Sequence, residues 1–191
     1  MIGYIVVGLN LAIVLGVVAH FVSKWNKEKP KYFYRGVGIK NQDNSVPLAD
    51  NWRKEIEQVI EVIKLILIEK FGTMESVRIT ENLWIETVPH DGLIHTPTVP
   101  EGVIFGTNRK VIGSIDLQKF WALGKLYYKI VVVKRNEYQN ASESAIFHEM
   151  FEHILPLRLG QDGNANHQRK DLEALTSDAQ KMYSEFYGNN K

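Results

Sequence analysis

One short segment of this 191-residue chain concentrates the side chains that bind metal ions and transfer protons. From His148 to His153 the sequence reads His-Glu-Met-Phe-Glu-His, so two histidines and two glutamates fall within six residues. The chain contains no cysteine, and a metal ion here must therefore be held by imidazole and carboxylate groups. Such groups bind zinc, and a carboxylate beside the ion can act as the base for its bound water. The segment therefore predicts a metal site on a largely apolar helix.

Helical geometry decides which of these four side chains can reach the same ion. Around a regular α-helix, residues four apart differ by about 40°, whereas residues five apart differ by about 140°. His148 then shares a face with Glu152, and Glu149 shares another face with His153. On such a helix His148 and His153 point in different directions, so we expect His153 to orient a neighbour or to line the cleft.

The pairing of His148 with Glu152 resembles the His-Glu-x-x-His motif of the zincin metallopeptidases. In that frame Glu152 stands where the family has its second histidine. The resemblance implies that His148 and Glu152 are metal ligands and that Glu149 is the catalytic base. Apolar residues fill the neighbouring positions, as they do in that family: Ala145, Ile146, Met150 and Phe151.

The other pairing resembles the inverted motif His-x-x-Glu-His, with a glutamate in place of the first histidine. In this alternative Glu149 and His153 bind the ion, and Glu152 is the base. Each frame requires one substitution relative to its family, and the apolar pattern around His148 favours the first.

A helix with two ligands needs a third ligand from elsewhere in the chain. His167 is the leading candidate, because it lies 19 residues beyond His148, after a turn-forming stretch at residues 160–164. Asp171, one helical turn further on, is a possible fourth ligand or the carboxylate that orients an imidazole. Asp162 is the alternative ligand. The predicted cofactor is Zn²⁺.

The N-terminal segment is strongly apolar. Residues 2–22 carry no side chain with a formal charge, and at about 1.5 Å per residue they could span a hydrocarbon layer of roughly 30 Å. No basic residue precedes this stretch and no small-residue cleavage site follows it, which disfavours a removable signal peptide. Basic residues follow it at once, so the positive-inside rule places the C-terminal part in the cytoplasm. These features predict a single-pass transmembrane anchor at residues 1–23 and a membrane location.

The remaining segments predict the order of the structural elements. Residues 24–49 are polar and contain Gly and Pro, which is typical of a tether. Apolar residues three and four apart predict a helix over 50–71, and a similar pattern predicts a final helix over 167–187. Short β-branched runs predict strands at 77–80, 83–88 and 127–133. Pro156 disfavours helix at the preceding residue, so the His/Glu helix should end near Leu155.

These elements predict an α+β fold with an N-terminal transmembrane helix. The zincin resemblance assigns residues 50–191 to one domain, made of a backing helix, a small mixed sheet, an active-site helix and a C-terminal helix.

The function implied by the resemblance is that of a membrane-anchored, zinc-dependent metallopeptidase-like hydrolase, in which metal-activated water cleaves peptide bonds. Its substrate would be a peptide or protein added to a sheet edge near residues 127–133. The alternative is a catalytically inactive zincin-like binding or structural module on a membrane. The charges are nearly balanced, with 23 basic and 22 acidic residues, which gives no reason to expect a nucleic-acid partner. The sequence carries no signal for the oligomeric state.

Overall fold

The computed structural model describes residues 13–188, except for residues 21, 24–25, 28, 42, 44, 90–104, 107–109, 112, 117–126, 135–139 and 162–168. Within these limits the chain forms a mixed β-sheet with helices. The helices are α1 (Asp50–Phe71), α2 (Thr73–Thr80), α3 (Asn140–His148), a π-helix (Glu149–Ile154), α4 (Leu155–Arg158) and α5 (Lys170–Tyr187). The strands are β1 (Tyr32–Tyr34), β2 (Val37–Asn41), β3 (Leu83–Pro89), β4 (Phe105–Gly106), β5 (Lys110–Val111), β6 (Gly113–Asp116) and β7 (Tyr128–Lys134).

Five of the strands form one sheet in the order β1-β2-β3-β7-β6. The central strands β2, β3 and β7 are parallel, whereas β1 and β6 run antiparallel to their neighbours. Strands β4 and β5 form a separate antiparallel pair. The small mixed sheet expected from the sequence is therefore confirmed. Strand β7 is not an edge strand, because it pairs with β3 on one side and with β6 on the other.

The segment predicted to be a tether contributes to this sheet. Strands β1 and β2 both lie within residues 24–49, and β2 pairs in parallel with β3. They are joined by a two-residue turn in which Arg35 and Gly36 have φ values of 45° and 83°. A turn with two positive φ values suits the twist of an antiparallel hairpin. The glycines in this stretch therefore indicate a hairpin rather than a linker.

The predicted transmembrane anchor at residues 1–23 is wrong. The structure describes residues 13–20 and 22–23 of this segment, which are helical and exposed, and the other residues of the segment lie outside the described part. No helix among the residues that the structure describes is long and apolar enough to cross a membrane. The predicted membrane location, with a cytoplasmic C-terminal domain, depended on this anchor and is wrong for the same reason.

Two further predictions of secondary structure, one helix and one strand, have contrasting outcomes. The helix expected over residues 50–71 is confirmed as α1, which ends where Gly72 adopts a φ of 81°. The strand expected at residues 77–80 is wrong, because this stretch belongs to α2. In α2 the buried residues Ser76, Ile79 and Thr80 recur at helical spacing and face α1, and this packing overrides the β preference of the single residues.

One hydrophobic core joins the helices to the sheet. It contains the buried faces of β2, β3 and β7 together with those of α1, α3, the π-helix and α5. Phe147, in the last turn of α3, and Phe151, in the π-helix, are both fully buried. The segment carrying the His/Glu cluster is thus anchored to the core on both sides of the change in helix type.

We predict that truncation of Phe151 strongly destabilises the fold. The Phe151→Ala variant should lose about 3–5 kcal/mol of unfolding free energy, because a fully buried ring leaves a cavity. Phe186→Ala is the matched control, since Phe186 is exposed and its truncation should change stability by no more than about 0.5 kcal/mol. Urea denaturation followed by circular dichroism measures both. Equal stabilities of the two variants would contradict the described packing.

Candidate metal centre

The His/Glu segment lies where an α-helix changes into a π-helix. Helix α3 ends at His148, and the π-helix occupies Glu149–Ile154, where the Leu155 N–H donates to the carbonyl of Met150, five residues earlier. A π-helix holds more residues in each turn than an α-helix, so side chains five residues apart lie nearly above one another. This geometry changes which side chains can meet.

Pro156 provides a physical reason for the π-helix at this point. Proline has no backbone N–H, and inside an α-helix its ring would clash with the carbonyl four residues before it, that of Glu152. The structure does not end the helix near Leu155, as predicted, but continues it through Pro156 to Arg158 in α4. In the π-helix, backbone hydrogen bonds run to the fifth preceding residue, as from Leu155 to Met150. The helix can therefore continue past Pro156, because it does not need the i→i−4 bond that a proline cannot donate.

The π-helix brings the two histidines together. The Nε2 atoms of His148 and His153 are 3.3 Å apart, and their ring centroids are 5.1 Å apart with an angle of 76° between the ring planes. The expectation that these histidines face different directions is therefore wrong, because it assumed a regular α-helix.

Glu149 completes a cluster of three side chains that could bind a metal ion. One ligand atom from each of His148, Glu149 and His153 lies within 4.8 Å of the other two. Glu149 is buried and the two histidines are half-buried. Within the described residues the chain therefore contains a group of side chains that could hold a metal ion.

The separation of the two imidazole nitrogens suits a tetrahedral ion. Zinc–imidazole bonds are about 2.0–2.1 Å long, and two such bonds with their nitrogens 3.3 Å apart enclose an angle of about 107°. This value is close to the tetrahedral angle of about 109° that zinc prefers. The same separation also permits an N–H···N hydrogen bond between the rings when no ion is bound. Both states require that at least one Nε2 carries a lone pair.

Glu152 lies on the other side of the His148 ring. Its Oε1 atom is 3.0 Å from His148 Nδ1 and accepts a hydrogen bond of 2.8 Å from the Thr176 hydroxyl on α5. A carboxylate that accepts the Nδ1–H of a histidine leaves the Nε2 lone pair for a metal ion and fixes the ring orientation. The structure thus places Glu152 beside His148, where it can orient the ring, and the cluster does not include it.

Burial makes Glu149 a weak acid at neutral pH. Removal of its carboxyl group from water, together with the smaller effect of the negative charge of Glu152, raises the pKa of Glu149 to about 7. A carboxylate with a pKa near the working pH is well suited to accept and return a proton. Glu149 lies beside two histidines that could bind a metal ion, and its role as the base stays a prediction.

The remaining predicted ligands are His167, Asp162 and Asp171. His167 and Asp162 lie outside the described residues, so their roles stay predictions. Asp171 is exposed at the start of α5 and forms an ion pair of 2.6 Å with Arg169, which holds the pKa of Asp171 below its usual range.

The inverted frame had named His153 as a ligand with Glu149, but a regular helix kept it away from His148. Its spacing from His148 is one residue longer than in His-Glu-x-x-His, and a π-helix accommodates one additional residue in a helical turn. The sequence contains a signal for this geometry, namely a proline three residues after His153 within an otherwise continuous helical pattern.

Comparisons of this chain with protein-family models, with curated proteins and with solved structures find no match.

We predict that Glu149→Gln stabilises the metal-free protein at alkaline pH. The folded-state pKa of Glu149 is raised, so its contribution to stability is complete below about pH 4.5 and is lost as the pH rises through about 7. Glutamine does not ionise, and the advantage of the variant should therefore grow by about 3 kcal/mol between pH 4.5 and pH 8.

Urea denaturation in the presence of a chelator, repeated across this pH range, measures the difference. Glu173→Gln is the control, because that carboxylate is exposed on α5. A difference between Glu149→Gln and wild type that stays constant with pH would contradict the burial of an ionisable Glu149.

Proposed function

We propose that this chain is a metal-dependent hydrolase of zincin-like type, in which His148 and His153 hold the ion and Glu149 is the base. The observation that carries the proposal is the 3.3 Å separation of the two Nε2 atoms beside a buried carboxylate. Two imidazoles with a neighbouring glutamate are the donor set that zinc hydrolases use. Zinc is the proposed ion, since it accepts tetrahedral nitrogen and oxygen ligands.

The bound ion and the side chains of the cluster would have separate roles in hydrolysis. A bound zinc ion would supply Lewis acidity and lower the pKa of a coordinated water. Glu149 would accept a proton from that water at a carboxylate oxygen and then transfer it to the leaving amine. Its burial supports this role, because a carboxyl group with a pKa of about 7 exchanges protons readily at neutral pH.

The substrate class of the proposed hydrolase is a peptide or protein. Strand β6, at the edge of the described sheet, packs near the π-helix and is a site where an extended peptide could add a further strand. His167 remains the proposed third ligand, and a ligand from outside the π-helix would leave a coordination position for water, as catalytic zinc sites require.

A second candidate is a binding or structural module without catalytic activity. The same 3.3 Å separation favours it, because an N–H···N hydrogen bond between His148 and His153 satisfies both rings without an ion. The absence of metal from the protein purified with zinc, together with a melting temperature unchanged by chelation, would support this candidate.

We predict that the purified chain binds one zinc ion with both histidines as ligands. His148→Ala and His153→Ala should each weaken zinc binding by more than about 100-fold, which exceeds the 10–100-fold effect of an outer-shell partner. His20→Ala is the control, since His20 is exposed and lies outside the cluster. Competition with a chelating indicator measures the affinities. Full zinc affinity in His153→Ala would contradict the proposed ligand pair and return Glu152 to the ligand set.

We predict that Glu149→Gln retains zinc but loses hydrolysis. A positioned base contributes roughly 10²–10⁴-fold to the rate, so cleavage of casein or of a peptide library should fall by that factor. Glu143→Gln is the matched control, because Glu143 is a buried glutamate like Glu149 but lies in α3, outside the cluster. Equal hydrolysis by wild type and Glu149→Gln would contradict the role of Glu149 as the base.

A further inference from the structure

A line of hydrogen bonds connects α5 to the candidate metal centre. The hydroxyl of Thr176 lies 2.8 Å from Oε1 of Glu152, and the same oxygen lies 3.0 Å from Nδ1 of His148. Thr176 and Glu152 are both buried, at 7% and 6% exposure. In such surroundings water competes little for these hydrogen bonds, which makes each of them stronger than at a surface.

The available protons determine which group donates and which accepts in these contacts. A threonine hydroxyl has one proton to donate, and the other acceptor near it, the Leu172 carbonyl, is more distant at 3.4 Å. The proton of Thr176 therefore goes to Glu152, and Glu152 acts as the acceptor. His148 then donates its Nδ1–H to the same carboxylate oxygen. A neutral imidazole with its proton on Nδ1 carries its lone pair on Nε2, the atom that faces His153.

We propose that Thr176 is a positioning residue of the metal centre, which holds Glu152 so that His148 keeps its proton on Nδ1 and presents the Nε2 lone pair to the ion. This inference rests on the proposed function for the ion itself, but the tautomer of His148 can be observed without any metal. Thr176 acts through Glu152, whose Oε1 accepts its hydroxyl proton.

A neighbouring hydrogen bond separates this role from general packing. Gln180, one turn after Thr176 on α5, donates a hydrogen bond of 2.7 Å to the Ser144 hydroxyl, one turn before His148 on α3. This bond ties α5 to α3, which continues directly into the π-helix, but it does not involve Glu152. A variant that removes it therefore loosens α5 against the same continuous helical segment and leaves the contacts from Thr176 to His148 intact.

The test compares three variants of the 191-residue chain with wild type. Thr176→Val removes the hydroxyl with little change in shape, Thr176→Ser keeps a hydroxyl, and Gln180→Met breaks the neighbouring bond. Long-range ¹H–¹⁵N NMR of the metal-free proteins reports which ring nitrogen of His148 is protonated, with the signal assigned by its loss in His148→Ala. Chelator competition then measures zinc affinity.

We expect wild type, Thr176→Ser and Gln180→Met to show a single His148 tautomer with an unprotonated Nε2. Thr176→Val should show a mixture of tautomers and weaken zinc binding by about tenfold, the lower end of the effect of an outer-shell partner. A wild-type tautomer in Thr176→Val, or an equal change in Gln180→Met, would overturn the proposal. If the tautomer shifts as expected but no variant binds zinc, the positioning role of Thr176 stands and the proposed metal-dependent function fails.

Discussion

The arrangement of the candidate site depends on the π-helix between His148 and His153. In an α-helix these residues would lie about 140° apart, and neither imidazole could share an ion with the other. The hydrogen bond from the Leu155 N–H to the Met150 carbonyl marks the change in helix type, and it places the two Nε2 atoms 3.3 Å apart. A π-helix is rare, because its less favourable geometry must be compensated by other interactions. Where it does form, it is frequently at a functional site. Burial of Phe147 and Phe151 on either side of the change provides such compensation.

The second constraint on the site is the presence of two buried glutamates within four residues. Glu149 and Glu152 are both removed from water, and their mutual repulsion raises the pKa of Glu149. Their surroundings differ, because Glu152 accepts a hydrogen bond from Thr176 and lies 3.0 Å from Nδ1 of His148, whereas burial dominates the pKa shift of Glu149. The two carboxylates can therefore have different roles, one as an orienting acceptor and the other as a proton carrier. Two buried carboxyl groups this close together oppose folding, and such a local loss of stability is expected at a functional site.

The location of the site and much of the fold could be predicted from the sequence. The apolar spacing in residues 50–71 reflects one buried helical face, which is why α1 has the predicted bounds. The density of His and Glu in residues 148–153 identified the segment that carries the cluster. The partnership of His148 with His153 could not be predicted, since it depends on a backbone geometry that Pro156 favours and the surrounding core completes. The hairpin of β1 and β2 was missed because Arg35 and Gly36 form a turn within a stretch of polar composition. The predicted anchor is wrong because apolar composition suggested a membrane span, whereas no described helix has the length and apolar character that a span requires.

We propose that the π-helix directs both histidines to one ion. Loading the ¹⁵N-labelled chain with ¹¹³Cd, a spin-active substitute for zinc, allows scalar coupling between the ion and each ring nitrogen to be measured by NMR. We expect coupling to Nε2 of both His148 and His153. Coupling to His148 with none to His153 would contradict a shared ion.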